Sequence, residues 1–221
     1  GRMMFNYMRP GGVAQDLPEG WIDRAKALVH DRLPEQVRRF EHFLIDPAIV
    51  QARSVTVGAL SSTDAIAYGV SGPVLRASGV RYDVRRAEPY GIYDRFDFEV
   101  PTREHGDVFD RVALRFDEVW ESLDILAQAL DAVPDGPIQS HRLSPLMRIP
   151  PGETYGRIEA PKGELGFYLV SDGGSNPYRY HIRSTSLLNL TPLSELARDA
   201  KIADVVAILG SIDLTMGEVD R

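Results

Sequence analysis

Three segments of this 221-residue chain carry more charge and backbone punctuation than folding alone requires. In Ser71-Gly72-Pro73-Val74-Leu75-Arg76-Ala77-Ser78-Gly79, glycines bracket one helical turn whose single cation is Arg76. Glu159-Ala160-Pro161-Lys162-Gly163-Glu164-Leu165-Gly166 forms a charge-rich kink between strand segments. Pro161 restricts the backbone there and Gly163 frees it, so Lys162 is expected at a fixed place rather than loose in solvent. The third segment is the tail from Gly210 to Arg221, with carboxylates at Asp213, Glu218 and Asp220. The side chains concerned are cations and carboxylates, the groups of proton-transfer and electrostatic chemistry. Each segment also has a plainer account: a tight helix junction, a surface hairpin whose exposed ion pairs are worth little, and a frayed terminus.

Other chemistries are excluded by residue type. The chain has no cysteine, which removes disulfides, thiolate metal sites, Cys-ligated clusters and thiol nucleophiles together. Its histidines, His30, His42, His105, His141 and His181, lack metal-ligand spacing. His30 and His42 read as helix-surface residues. No P-loop and no glycine fingerprint sits between a strand and a helix. A nucleophile elbow is missing too, and Ser171-Asp172 is turn chemistry.

The elements that must position these groups are read from periodicity. Pro18 suits a first helical position, followed by Trp21, Ala25, Leu28 and Val29 at helical spacing. Pro34 is expected to interrupt, and a second helix then places Val37, Phe40, Phe43 and Leu44 on one side, with Arg38, Arg39 and Glu41 solvated. Residues 54–82 suit short helices with close turns. Tyr82–Pro101 reads as aromatic-anchored coil, since disordered segments are poor in aromatics. The clearest element is a helix from Asp107 to Ala132. There Val112, Phe116, Val119, Leu123, Leu126 and Leu130 form an apolar stripe, and Pro134 and Gly136 end it. Pro-rich coil from Gly136 to Gly152 precedes two candidate strands, Tyr155–Ala160 running on through Leu165–Val170, and Tyr178–Arg183. The turn Ser171-Asp172-Gly173-Gly174 joins them. Short helices follow near Leu193–Ala200 and Ile202–Leu209. The fold class expected is α+β and mainly helical: a helix bundle with a small antiparallel sheet near the C-terminal part. Residues 1–135 are the helical portion, and 136–221 hold a hairpin, short helices and the tail.

A net charge of -7, with 43% hydrophobic and 26% charged residues, argues against a nucleic-acid surface. No stretch reaches the roughly 20 apolar residues that span a bilayer. The start, Gly1–Arg9, lacks a signal-peptide progression and reads as a helix end entering Pro10-Gly11-Gly12, which suggests a fragment or a processed chain.

The loaded segments also carry a family resemblance. Asn6-Tyr7 with Arg9 and Gly11-Gly12-Val13, the Ser71–Gly79 run, Asp83 through Pro89-Tyr90, and Phe98 to Pro101 resemble the D subunit of the proton-pumping NADH:quinone oxidoreductase, respiratory complex I. So do Gly136-Pro137, Glu159–Gly166 with Tyr168-Leu169-Val170-Ser171-Asp172-Gly173, and Pro177-Tyr178-Arg179. Ala203–Ser211 and the closing Gly217-Glu218-Val219-Asp220-Arg221 are similar to that family's C-terminus. The match runs the whole chain in the family's order, as its C-terminal portion.

This resemblance implies a part of the quinone-reduction site, between the D and B subunits. Electrons from NADH arrive through other subunits and the terminal iron–sulfur cluster held by the B subunit, and the redox step drives proton pumping. The chain itself would bind no cofactor or metal, with quinone as the substrate of the complex. Its implied partners are the B, C, H and I subunits. The implied location is peripheral, on the cytoplasmic face of the bacterial cell membrane or the mitochondrial matrix side. The family is related to the large subunit of nickel–iron hydrogenases, whose Asp-Pro-Cys-x-x-Cys motif falls on Asp213, Thr215 and Glu218, with no thiolate present. The family's Gly-Pro-Gln-His-Pro-type segment, and the His and Tyr that contact the quinone headgroup, are not in this chain, so the isolated chain is expected to be inactive. Near the site the resemblance leaves Lys162, Asp213, Thr215 and Met216. The hydrogenase relationship further implies a tail tucked inside, with Arg76, Glu218 and Arg221 expected as charge partners and Asp213 expected partly buried beside Arg76 or Lys162. An alternative is a structural module that docks other subunits and contributes no chemical group. A hydrogenase-type subunit is opposed by the missing cysteines.

Overall fold

The computed structural model describes residues 7–9, 11–140 and 148–220. It is α+β, with helices ahead of a three-stranded antiparallel sheet. The expectations for Gly1–Asn6, His141 and Arg221 lie outside the described residues.

A two-stranded ribbon, β1 (Met8–Arg9) and β2 (Gly12–Val13), leads to α1 (Trp21–Ala27). Here Pro34 does not break the helix. A π turn (Leu28–Arg32) joins α1 to α2 (Leu33–Leu44), and the Leu33 N–H bonds to the Leu28 carbonyl. That widened turn takes up a residue immediately before the proline, where its ring and missing N–H would otherwise disrupt the ladder. The inward side of α2 is Leu33, Val37, Glu41 and Ile45. Of the expected stripe only Val37 faces inward; Phe40 is 59% and Phe43 72% exposed, and Leu44 is exposed too.

Short helices α3 (Ala48–Ser54), α4 (Ser62–Ala67), α5 (Pro73–Ala77) and α6 (Val84–Ala87) follow. Tyr90, Tyr93, Phe96 and Phe98 make edge-on ring contacts that anchor the next stretch. The long helix α7 (Val108–Asp131) is capped by Asp107, whose Oδ1 accepts the Asp110 N–H at 2.8 Å. Its buried residues include Val108, Arg111, Ala113 and Leu114, while of the expected stripe only Leu123 is buried, Val112, Phe116 and Leu130 are half-buried, and Val119 and Leu126 are exposed. The reason is tertiary: α10 (Ile202–Ile212) packs on the side of α7 that carries charged residues.

The sheet runs β3 (Gly152–Ala160), β4 (Gly163–Ser171), β5 (Arg179–Arg183), in that order. The continuous strand expected through Pro161 is in fact two. Ala160 pairs with Gly163, so Pro161-Lys162 is a hairpin turn. Proline offers no N–H to a ladder, and Gly163 takes φ +130°, which an L side chain rarely adopts. Helices α8 (Thr185–Leu190), α9 (Leu193–Leu196), α10 and α11 (Met216–Asp220) complete the chain. The main core joins segments distant in sequence, with Leu60, Val74, Leu75 and Val108 against Leu196, Ile208 and Ile212.

Candidate functional site

The Pro161-Lys162 turn lands on the start of α5. Gly72 and Gly163 face each other with no room for a side chain on either. This seating places Lys162 Nζ 2.8 Å from Asp213 Oδ2. Asp213 follows α10 in the left-handed conformation, φ +60° and ψ +60°, a region Asp and Asn tolerate better than most residues. From α7, Arg115 Nε approaches the same carboxylate oxygen at 3.9 Å. The Asp213 side chain is 52% exposed and that of Lys162 21%. Asp213 therefore lies at the surface of this chain, not partly buried as expected, directly after the buried Ile212. Thr215 and Met216 are exposed as well, although the Thr215 N–H bonds to Ser186 Oγ at 3.2 Å. Glu218 accepts a hydrogen bond from the Ser186 hydroxyl.

Arg76 is not the partner of Asp213. It lies in the interior, 3% exposed, with Nε donating to Glu118 Oε1 at 2.7 Å and Nη1 to Glu159 Oε1 at 2.8 Å and the Tyr82 carbonyl at 3.0 Å. Burial opposes the Arg76 charge, but Glu118 and Glu159 outweigh it and hold the pKa above the ordinary arginine value. For Glu159, burial dominates and raises the pKa despite Arg76. Asp83 stands 3.7 Å from Arg76 and 2.6 Å from Arg85. Burial alone would raise its pKa, yet the Arg85 hydrogen bonds and charge, with Arg76, bring it below the usual value. The Arg85 guanidinium lies over the rings of Tyr93 and Phe98, 5.6 and 5.0 Å from their centroids.

These groups line a cleft of about 480 Å³ whose walls include Arg76, Arg85, Arg115, Glu118, Glu159 and Asp213. Charge density of this kind at low dielectric polarises whatever enters. A second groove, about 390 Å³ and mainly apolar, shares Arg115, Val119 and Asp213 with it and continues over Leu44, Val112 and Phe116. Arg115 and Asp213 thus stand where a charged cleft meets an apolar groove. Behind them, Arg111 is fully buried, with Nε donating to Ser211 Oγ at 2.8 Å, and burial followed by the neighbouring Arg115 charge lowers its pKa to about 10. Among the described residues, no group of three His, Cys, Asp or Glu side chains is placed to hold a metal ion.

Sequence reasoning singled out Lys162, Asp213 and Arg76 but missed Arg85, Arg115, Glu118 and Glu159 as members of one charged wall, and the buried Asp83 and Arg111 near it. A signal was present on α7: Arg111, Arg115 and Glu118 step by four and three, the spacing of one helical face. On an amphipathic helix such a charged face is usually the solvated one.

A family model described as "Respiratory-chain NADH dehydrogenase, 49 Kd subunit" matches residues 1–147 and 141–221. The chain is similar to a NADH-quinone oxidoreductase D subunit of Roseiflexus sp., at 50% identity over 229 residues covering all of this chain and 60% of the relative. It is 49% identical to a D subunit of the same enzyme from Herpetosiphon aurantiacus, covering 100% of this chain and 60% of that protein. The D subunit of Desulforamulus reducens is 48% identical over 99% of this chain and 59% of its own length. The chain therefore spans about 60% of the length of the curated relatives it matches.

Proposed function

This chain belongs to the family of the 49 Kd subunit of the respiratory-chain NADH dehydrogenase, and from that membership we propose that it forms part of the quinone-reduction site of a proton-pumping NADH:quinone oxidoreductase. In this reading the electrons come from NADH through other subunits, the last carrier being an iron–sulfur cluster on the B subunit. The neighbours of this chain are the B, C, H and I subunits, and it sits peripherally on the cytoplasmic or matrix side of the membrane. Among the described residues no helix is long and apolar enough to cross a membrane, which suits a peripheral place.

The observation that carries the proposal is that Asp213, where a charged cleft meets an apolar groove, holds Lys162 Nζ at 2.8 Å. Reducing a quinone takes two electrons and two protons and builds negative charge on its oxygens. An ammonium held beside those oxygens stabilises that charge as it develops. The paired carboxylate orients the ammonium and is itself a group to which a proton can pass. Arg115 adds a second cation close by, while Thr215 and Met216 are exposed just beyond Asp213.

The test is Lys162→Met and Asp213→Asn in the assembled enzyme, the asparagine chosen because it tolerates the left-handed backbone. The expected result is normal assembly with quinone reduction lowered about tenfold or more, the scale on which one such electrostatic group acts. Unchanged turnover would reject the chemical role. Loss of assembly would favour the second reading, a docking module, which the exposed Phe40, Phe43, Ile202 and Val206 support.

A further inference from the structure

Between Lys162 and the tail lies α8, a six-residue helix whose inward residues are polar. Thr185, Ser186 and Asn189 are each at most 1% exposed. Together they reach the turn that carries Lys162 and the tail just beyond Asp213. On one side, Asn189 Nδ2 donates to the Lys162 carbonyl at 3.1 Å and to the Ser71 carbonyl at 3.3 Å, while its Oδ1 accepts the Ser71 N–H at 3.0 Å. Thr185 Oγ1 donates to the Glu164 carbonyl at 3.0 Å. On the other side, Ser186 Oγ accepts the Thr215 N–H at 3.2 Å and donates to Glu218.

We propose that Asn189 is a positioning residue that sets Lys162 against Asp213. Its amide uses one acceptor and both donor directions on two segments far apart in sequence, the loop entering α5 and the turn carrying Lys162. Those contacts are made in the interior, where leaving a backbone group unpaired is costly, so the geometry is held rather than sampled. Ser71 reinforces it by accepting the Glu164 N–H at 3.1 Å on the far side of the turn. Because Ser186 ties the tail to the same short helix, a shift at Asn189 changes the distance between ammonium and carboxylate. Asn189 is too deep to touch a ligand in the cleft, so it acts through Lys162.

The placement of Lys162 by Asn189 stands on geometry alone, and its consequence for turnover rests on the quinone-site reading. Asn189→Asp keeps the shape and removes both donors. Asn189→Ser keeps a polar group too short to reach the Lys162 carbonyl, and it carries the test if the buried carboxylate prevents folding, with circular dichroism as the check. In the full chain, acetylation of Lys162 by acetic anhydride is measured by mass spectrometry against exposed Lys201 in the same sample. Losing a hydrogen bond of ordinary net worth predicts about a fivefold rise in the Lys162-to-Lys201 ratio. In the assembled enzyme, quinone KM is expected to rise, and Asn189→Asp combined with Lys162→Met is expected to be no worse than Lys162→Met alone. An unchanged acetylation ratio in both folded variants overturns the proposal, as does an additive loss in the double variant. A raised ratio with unaltered quinone kinetics upholds the positioning and rejects the quinone-site reading.

Discussion

Gly72 and Gly163 meet backbone to backbone: a Cβ on Gly72 would fall 2.4 Å from Gly163 Cα, and one on Gly163 would fall 2.6 Å from Ser71 Oγ. Gly72 also has φ +65°. Gly72→Ala therefore meets a backbone clash and a strained conformation together. A loss of about 3 kcal/mol or more is expected in urea unfolding, from strain and overpacking acting at one site. Gly69→Ala, where φ is +68° but nothing lies within 4 Å, is the control and should cost distinctly less.

The buried Arg76 holds the half-buried Glu118 at 2.7 Å and the Glu159 side chain, in the interior, at 2.8 Å. Arg76→Ala leaves the buried Glu159 without its cation, and removing one partner of a buried pair costs about 3–5 kcal/mol. Arg76→Ala with Glu159→Gln should recover part of that loss, measured by the same denaturant midpoint.

Two carboxylates of this cluster respond to pH in opposite senses. Asp83 has a depressed pKa in the fold, because the Arg85 and Arg76 charges outweigh burial. Its stabilising contribution is present above the unfolded value and is lost as pH falls through the folded one. The stability gap between the native chain and Asp83→Asn should shrink on acidification. Glu159 has a raised pKa, chiefly through burial. Its contribution is full below the unfolded value of about 4.3 and is lost as pH rises through the folded one. Glu159→Gln should therefore gain on the native chain as pH rises through that window. Thermal melts at a series of pH values check both.

The Lys162–Asp213 pair is short, yet its carboxylate is half exposed. Such pairs contribute about 1 kcal/mol or less. Asp213→Asn should accordingly leave the denaturation midpoint almost unmoved. A large loss would mean that the pair is structural, and turnover defects in that variant would then say nothing about chemistry.

Phe43 is 72% exposed on α2. In this chain Phe43→Ser should change unfolding free energy by no more than about 0.5 kcal/mol, as surface substitutions do. A loss on the scale of a core truncation would place the residue inside.

Several features were legible in the sequence because their causes are local. The bounds of α7 follow from Asp107 as cap and from periodicity sustained along its whole length, and the β4–β5 hairpin follows from the turn residues Ser171 to Gly174, whereas the Pro161-Lys162 hairpin did not show. Lys162 and Asp213 stood out because Pro161, Gly163 and the charged tail mark their neighbourhoods. Residue types alone removed thiolate and cluster chemistry. What the sequence could not supply depends on contacts between distant segments. Whether α7 buries Arg111 or Leu126 depends on where α10 lies, and periodicity on one helix does not say which side its partner takes. α8 escaped notice because its inward face is Thr185, Ser186 and Asn189, which resemble a polar loop until Ser71, Lys162 and Thr215 are seen to supply their hydrogen bonds. The ion pairs of Arg76 were misassigned for the same reason: several carboxylates can neutralise a buried cation, and only the packing of α5 against α7 and β3 decides which of them do.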